Sequence, residues 1–401
     1  MHVLTISWEY PPYVVGGMGK HVAELIPALS SSNEYQEPLY MDVVTQRTNG
    51  APALEELDPY TRVHRIDLPE VYPIDLVNSV VDANRQLIYY GDKLLSQQQY
   101  DIIHTHDWLV AEAGITLKLR HRVPLVTTIH ATERGRYRGH LPNADNAHID
   151  HMEWRACYEA WEVIVCSRHM AREVNQFFRV PIGKIDVIPN GVNLNQIHQH
   201  SPEARLACRE RLAPNGERLL FFVGRMVYEK GLPVLLKAMP GILARYPDTR
   251  LVVAGKNPHQ MAELAQQYGV VDRVDFLGFV SDSERDLLYQ SVDAAIFPSL
   301  YEPFGIVALE AMANDCNVIV SEEGGLGEVI HHEINGLTVL PNDHRSIVWA
   351  VDRLFSDMEA GKQRRLRARR EVETLYNWKL VAQKTTALYA RVAAARKVVD
   401  W

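Results

Sequence analysis

Short apolar runs alternate with stretches of helical period along nearly the whole chain. HVLTIS, MDVVT, DIIHTH, PLVTTIH, EVIVCS and KIDVIP read as strands in the first half, and RLLFFVG, RLVVAG, RVDFLG, DAAIFPS, CNVIVS and GLTVL in the second. Several are apolar at successive positions, the pattern of strands buried on both faces. Between strands, HVAELIPAL and KGLPVLLKAMPGILARY carry apolar residues at the spacing of one helix face. Alternation of this kind builds βαβ units and parallel sheets. The pattern starts afresh at LLFFVGR, near Leu219, after a polar and charged stretch from about Asn193 to Arg218. This predicts two doubly wound, Rossmann-like α/β domains, 1–200 and 201–377, with the linker within Pro189–Pro202 and a last helix, 378–401, reaching back to the first. Ligands of open parallel sheets bind beyond the carboxyl ends of the strands, so two such domains are expected to face one cleft.

Composition narrows the class. A chain of 401 residues exceeds what one hydrophobic core usually spans. With 47% hydrophobic and 23% charged residues it has the balance of a soluble globular protein. The net charge of -8 argues against general nucleic-acid binding. No run approaches the roughly 18 apolar residues of a membrane span. MHVLTISWEYPP lacks the basic and long apolar regions of a signal peptide and reads as a first strand. The basic run LKLRHR, Leu117–Arg122, is the feature that would serve peripheral membrane contact. Four cysteines (Cys157, Cys166, Cys208, Cys316) show no C-x-x-C spacing. They suit reduced, buried thiols and a cytoplasmic setting better than disulfides or zinc.

Candidate chemistry gathers at the predicted strand ends. EYPPYVVGGMGKHV places Gly16, Gly17 and Gly19 before a helix expected near Met18. A glycine-rich turn into a helix offers amides to an anion, and a tight strand-to-helix turn alone would also use it. The spacing is not G-x-G-x-x-G and no acid follows at the matching distance, which argues against a nicotinamide site. Asp107, after DIIHTH, either caps the next helix or faces a ligand. His130 ends PLVTTIH, a better place for a functional imidazole than a helix face. The loop ATERGRYRGHLPNADNAH carries Arg134, Arg136 and Arg138, either solvated or poised for an anionic acceptor. In VGRMVYEKG, Arg225 follows a strand and Lys230 is expected to begin a helix. A cation there opposes the macrodipole, and a bound diphosphate would account for both charges.

The stretch YEPFGIVALE brackets a Pro-Phe-Gly turn with two acids. Pro303 and Gly305 mark the start of a helix through IVALEAMA. Amides of Phe304, Gly305, Ile306 and Val307 then lack intrahelical partners. Glycine at 305 lets a ligand approach the backbone. Glu302 precedes the helix, while Glu310, inside it, leans toward its N-terminus. Both carboxylates can thus address one ligand. Singly, they also read as an N-terminal capping acid and a buried structural carboxylate.

In combination these motifs resemble the retaining glycosyltransferases of family 4, the GT-B group that includes glycogen and starch synthases. Glu302 and Glu310 match its E-x7-E pattern, and FPSLYEPFGIVALEAMA is close to the glycogen and starch synthase type. VGRMVYEKG resembles the diphosphate motif, VIPNGVN the interdomain segment, EYPPYVVGGMGKHV the glycine loop and HTHDW a further motif of the first domain. The resemblance covers nearly the full chain. It implies a nucleoside diphosphate sugar donor, a carbohydrate acceptor, a retained α-linkage and no metal or other cofactor. By the same resemblance Glu302 contacts the donor sugar near its 3-hydroxyl, and Glu310 binds the ribose hydroxyls. Arg225 and Lys230 neutralise the diphosphate, helped by amides of Gly17, Ile306 and Val307. His130 meets the 6-hydroxyl of the sugar. Val14 stands where glycogen synthases typically carry lysine in K-x-G-G, which puts UDP-glucose ahead of ADP-glucose as donor. The rival readings are a GT-B sugar-nucleotide epimerase and a non-catalytic sugar-nucleotide binder.

Overall fold

The runs that are apolar at successive positions lie inside parallel sheets. In a computed structural model, which describes every residue except 32–37, 49, 70–71, 73–74 and 400, the chain divides into two units: Met1–Asn190 with Trp378–Trp401, and Gly191–Asn377.

The first unit holds strands β1 (His2–Ile6), β2 (Tyr40–Gln46), β3 (Leu54–Asp58), β4 (Thr61–Ile66), β5 (Ile102–His106), β6 (Leu125–Ile129), β7 (Glu162–Val165) and β8 (Ile185–Val187). Its helices are α1 (Gly17–Ser30), α2 (Leu76–Gln97), α3 (Ala111–His121), α4 (Glu133–Arg136), α5 (Ala144–Glu159) and α6 (Arg168–Phe178). The sheet order is β3-β4-β2-β1-β5-β6-β7-β8. Every pairing is parallel except β3 with β4. That hairpin is absent from the sequence prediction. β3 reads LEELD and is mostly exposed at the sheet edge, so it carries no apolar run to recognise. β4 buries His64 and Arg65 where an apolar residue would be expected.

The C-terminal helix, Trp378–Val398, belongs to this unit. Its Trp378, Val381, Leu388, Tyr389 and Val392 share one core cluster with Val22, Leu25, Ile26 and Leu29 of α1. Most of the cations of the basic run in α3 have acidic partners within the unit. Lys118 Nζ lies 2.6 Å from Glu159 Oε2, while Arg120 and His121 both pair with Asp92. Among the described residues no helix is long and apolar enough to cross a membrane.

The second unit is a six-stranded parallel sheet built from β9 (Arg218–Val223), β10 (Thr249–Ala254), β11 (Val274–Gly278), β12 (Ala294–Phe297), β13 (Val318–Ser321) and β14 (Leu337–Val339). Helices α7 (Pro202–Leu212), α8 (Leu232–Arg245), α9 (His259–Gln267), α10 (Asp282–Ser291), α11 (Ile306–Ala313), α12 (Leu326–Val329), α13 (His344–Ser356) and α14 (Met358–Leu375) accompany it. The order β11-β10-β9-β12-β13-β14 reverses direction between β9 and β12, the place where doubly wound sheets open a ligand crevice.

The division between units falls at Asn190 rather than at 200. Asn190 bonds His21 in the first unit, whereas the Val192 amide donates to the Tyr376 carbonyl in the second. His198 and His200 are then tied to Asp286 and Ser283 around α10. Polar composition marks this segment as a linker, but its hydrogen bonds assign it to the second unit.

Candidate functional site

In the second unit the site grows from the ends of β9 and β12. After β9 the chain passes Arg225 and closes a tight turn, Tyr228–Lys230, into Gly231. Gly231 has φ +74, and a Cβ there would stand 1.9 Å from the Pro298 carbonyl oxygen. Only glycine lets the turn close against the segment that follows β12. α8 begins beyond it, at Leu232, so Lys230 ends a turn and does not start the helix as expected. Its Nζ donates to Glu302 Oε2 at 2.7 Å. The same oxygen accepts from the Ser299 hydroxyl at 3.1 Å, and Glu302 is buried. Arg225 does not share this partner. Its guanidinium, 52% exposed, lies 2.7 Å from Glu229. Each cation at the junction is therefore held beside its own carboxylate.

α11 starts at Ile306 behind Gly305, whose φ is +100 and which supplies no side-chain cap. The first-turn amides of Ile306 and Val307 have no intrahelical acceptor, and the helix dipole favours negative charge at this end. Phe304 is buried edge-on to Tyr376. Glu310 is buried one turn further on, with Arg285 Nε of α10 at 3.4 Å from its Oε2. Below the turn sits a loop that sequence reasoning missed. The Gly325 amide donates to the Glu302 carbonyl at 2.8 Å, and a Cβ on Gly324 would lie 2.0 Å from that same oxygen. The signal was the pair of glycines in EEGGLGE. Together these groups offer two cations and a helix start to a phosphoryl group, and two buried carboxylates to hydroxyls.

The first unit places its candidates at the carboxyl ends of β1, β5 and β6. The glycine loop does hold an anion, but an internal one: Glu9 Oε2 accepts from the amides of Val15 at 2.7 Å and Gly16 at 3.1 Å. Gly16, expected to bind donor, thus has its amide engaged by Glu9. A Cβ on Gly19 would come within 2.3 Å of that carboxylate, so Gly19 makes room for it. Gly17 opens α1. Asp107 makes no cap. It sits at φ 60, ψ 179, a region almost reserved for glycine, and its Oδ1 accepts the His130 amide at 2.7 Å. Burial pushes its carboxyl up to about 7.

The His130 ring stacks on His106, Nε2 to Nδ1 at 3.1 Å, and meets His21 at 4.7 Å between centroids. Of the three arginines, Arg134 is committed to Asp150 through two hydrogen bonds and lies over Phe177. Arg136 is 3.3 Å from Glu133, and Arg138 is exposed. The front of the predicted loop is α4, capped by Thr132 Oγ1 and anchored where Glu153 accepts the Glu133 amide. Glu9 and His21 were missed because nothing in their neighbours marks them.

The buried histidines make the stability of this unit pH-dependent. Burial lowers His21 to about 4 and His104 to about 3, and holds His106 and His130 well below the usual imidazole range. A depressed folded pKa gives stability that is complete above about pH 6.5 and lost as pH falls toward the folded value. Asp107, and Glu153 whose burial raises it well above the carboxylate range, work the other way, because the folded state already holds their protons near neutral pH. The four imidazoles outnumber the two carboxyls, so the balance destabilises the folded unit as pH falls below about 6.5. Urea midpoints of the first unit, followed by hydrogen exchange, are expected to drop steeply from pH 6.5 to 5. His104→Gln should flatten that slope by about one proton. A flat profile would show that these rings titrate freely.

Residues 15–196 match the family described as Glycosyltransferase Family 4, and residues 207–371 that described as Glycosyl transferases group 1. An uncharacterized glycosyltransferase of Methanocaldococcus jannaschii is 36% identical over 395 residues, covering 97% of this chain and 98% of the relative. A glycogen synthase of Mycobacterium tuberculosis is 32% identical over 399 residues, covering 97% and 94%. Among solved structures, a sucrose-phosphate synthase from Thermosynechococcus elongatus superposes with a TM-score of 0.83 at 26% identity, covering 98% of this chain and 99% of the other.

Proposed function

The chain belongs to the GT-B glycosyltransferases of family 4, hexosyltransferases by type, and from that premise we propose that it moves a hexose from a nucleoside diphosphate sugar to a carbohydrate hydroxyl with retention. Glucose is the first choice of sugar, UDP the first choice of carrier and ADP the second. The observation that carries this reading is the Lys230–Glu302 pair at 2.7 Å, seated where the strand order reverses. Lys230 and Arg225, with the amides at the start of α11, balance the charge that grows on the diphosphate as the C1–O bond breaks. Glu302 orients a sugar hydroxyl and Glu310 the ribose. His130 is assigned to the 6-hydroxyl. The new C1–O bond forms on the face that the diphosphate leaves, and the acceptor proton passes to a departing phosphate oxygen.

A sugar phosphate or lipid-linked sugar suits the acceptor, since Arg136 and Arg138 flank the loop after α4. The name of the Thermosynechococcus neighbour, a sucrose-phosphate synthase, supports the first. Arg136→Ala is expected to raise the acceptor KM about tenfold with donor binding unchanged, the loss of one charge-assisted contact. Equal acceptor kinetics would remove Arg136 from that role. Four buried cysteines in the thiol form support a cytoplasmic setting.

The test of the whole reading is a panel of UDP-, ADP- and GDP-sugars with mixed acceptors, followed by mass spectrometry beside Glu302→Ala. Nucleotide release from one donor, with a new glycoside and loss of both in the variant, is the expected result. An epimerised donor without transfer would replace the reading by an isomerase.

A further inference from the structure

Three imidazoles converge at the carboxyl end of the first unit's sheet. His21 comes from the second turn of α1, His106 from the last position of β5, and His130 from the residue after β6. One ring nitrogen of each lies within 4.8 Å of one nitrogen of both others. His106 Nδ1 and His130 Nε2 are 3.1 Å apart, close to the roughly 3.3 Å between two nitrogens bound tetrahedrally to zinc at ~2.0–2.1 Å.

One of these rings carries a lone pair that the protein leaves unsatisfied. His21 Nδ1 is 2.6 Å from Asn190 Oδ1, an acceptor, so Nδ1 holds the proton and Nε2 presents a lone pair. That Nε2 is buried without a hydrogen-bond partner among the described residues. Buried polar atoms are almost always paired, and leaving one unpaired costs about 1–3 kcal/mol. His104, beside them, shows how the same interior satisfies a structural histidine: its nitrogens meet the Tyr389 hydroxyl at 2.6 Å and Thr128 Oγ1 at 2.8 Å.

The geometry points to a three-histidine site for a divalent cation of the zinc class, built from His21, His106 and His130, with its fourth position open to water or another oxygen ligand. The ligand set is imidazole throughout, which favours zinc or its transition-metal neighbours over magnesium and calcium. Burial keeps all three rings neutral near pH 7, the state that binds metal. Asn190 acts as a positioning residue, fixing the tautomer and orientation of His21 as second-sphere partners of metal-bound histidines do. Trp378, edge-on to His21 at 5.4 Å, supplies an apolar wall, and His130 is partly exposed, which gives the ion a way in. A cation held here occupies the ring that the proposed function assigns to the sugar, so it should inhibit transfer. That consequence rests on the proposed function, whereas the binding site does not.

The experiment strips the full chain with a chelator, then titrates it with Zn²⁺ by calorimetry and with Co²⁺ by visible absorption. One tight equivalent per chain is expected, with a tetrahedral Co²⁺ spectrum. The double variant His21→Gln/His106→Gln should lose the tight equivalent. Asn190→Ala should weaken it about 10- to 100-fold while leaving all three ligands in place. Circular dichroism of each variant reports folding, and should the double variant misfold, the wild-type spectrum and Asn190→Ala still decide. The absence of a tight equivalent in the wild type overturns the proposal. So does a tight equivalent that survives in the folded double variant, which would place the ion on others of the 17 histidines. UDP binding to the same samples keeps the two readings apart: zinc bound without UDP affinity sinks the proposed donor and leaves the metal site standing.

Discussion

Lys230→Ala is expected to lower kcat by about a hundred- to a thousandfold, with kcat/KM for the sugar nucleotide falling by the same factor. Charge stabilisation of a leaving group is commonly the largest single catalytic contribution, and removing one such contact costs about 3–4 kcal/mol. The loss should appear in both constants because the charge that Lys230 meets is greatest in the transition state. The substitution also disturbs the resting protein. Glu302 is 7% exposed, and without Lys230 its Oε2 keeps, among the described residues, only the Ser299 hydroxyl. A buried carboxylate stripped of its cation costs about 1–3 kcal/mol of stability after allowance for the partial exposure of Lys230. Stability and catalysis separate in the pair Lys230→Met/Glu302→Gln, where no uncompensated charge remains. Its urea midpoint should recover toward the wild type while turnover stays low. If turnover recovers together with stability, Lys230 serves packing, and the assignment of a diphosphate to this junction fails.

Gly324→Ala should lower turnover by about a hundredfold, although position 324 was not among the site residues expected from the sequence. Gly324 has φ +61, and its added Cβ would lie 2.0 Å from the Glu302 carbonyl oxygen and 2.9 Å from the carbonyl carbon. Real contacts of this kind are essentially never under 3.0 Å, so one backbone must move by about an ångström. The Gly325–Glu302 hydrogen bond beside it would lengthen or break. A displacement near 1 Å at a reacting centre costs about 10²-fold in rate. Gly269→Ala is the matched control. That residue has φ +68 in the same unit, but nothing lies within 4 Å of the place its new methyl would take, so it isolates the left-handed backbone cost of about 1 kcal/mol. Loss of activity in Gly324→Ala beyond that of Gly269→Ala assigns the effect to Glu302. Equal activity in the two would mean that the loop yields and that Glu302 is held by its side-chain partners alone.

What the sequence determined by itself is local. Residues within a turn or a strand are a few positions apart, and their pattern is written in adjacent letters. The buried strands of the second unit, RLLFFV and VIVS, are continuous apolar runs and are found where they were expected. So is α11, because Pro303 and Gly305 announce its start and the run IVALEAMA continues it. The places of Glu302 just before α11 and Glu310 inside it followed from the same punctuation, whereas Lys230 ends a turn where a helix start was expected. The β3–β4 hairpin escaped because an exposed edge strand needs no apolar face, so LEELD resembles a loop.

Pairing was decided only by the tertiary structure. Lys230 meets Glu302 across 72 positions, and His21 meets Asn190 across 169. Those separations carry no periodic signal. They are set by the order in which parallel strands line up and by which carboxyl ends become neighbours. The structure therefore split two cations that the sequence had placed on one anion, giving Arg225 to Glu229. It filled the glycine loop with Glu9 and brought three histidines from α1, β5 and the end of β6 into one cluster. A residue type and its place on an element can be read along the chain. Which charge, lone pair or backbone oxygen it will face depends on packing between distant segments, where direction and distance exist only once the sheet has formed.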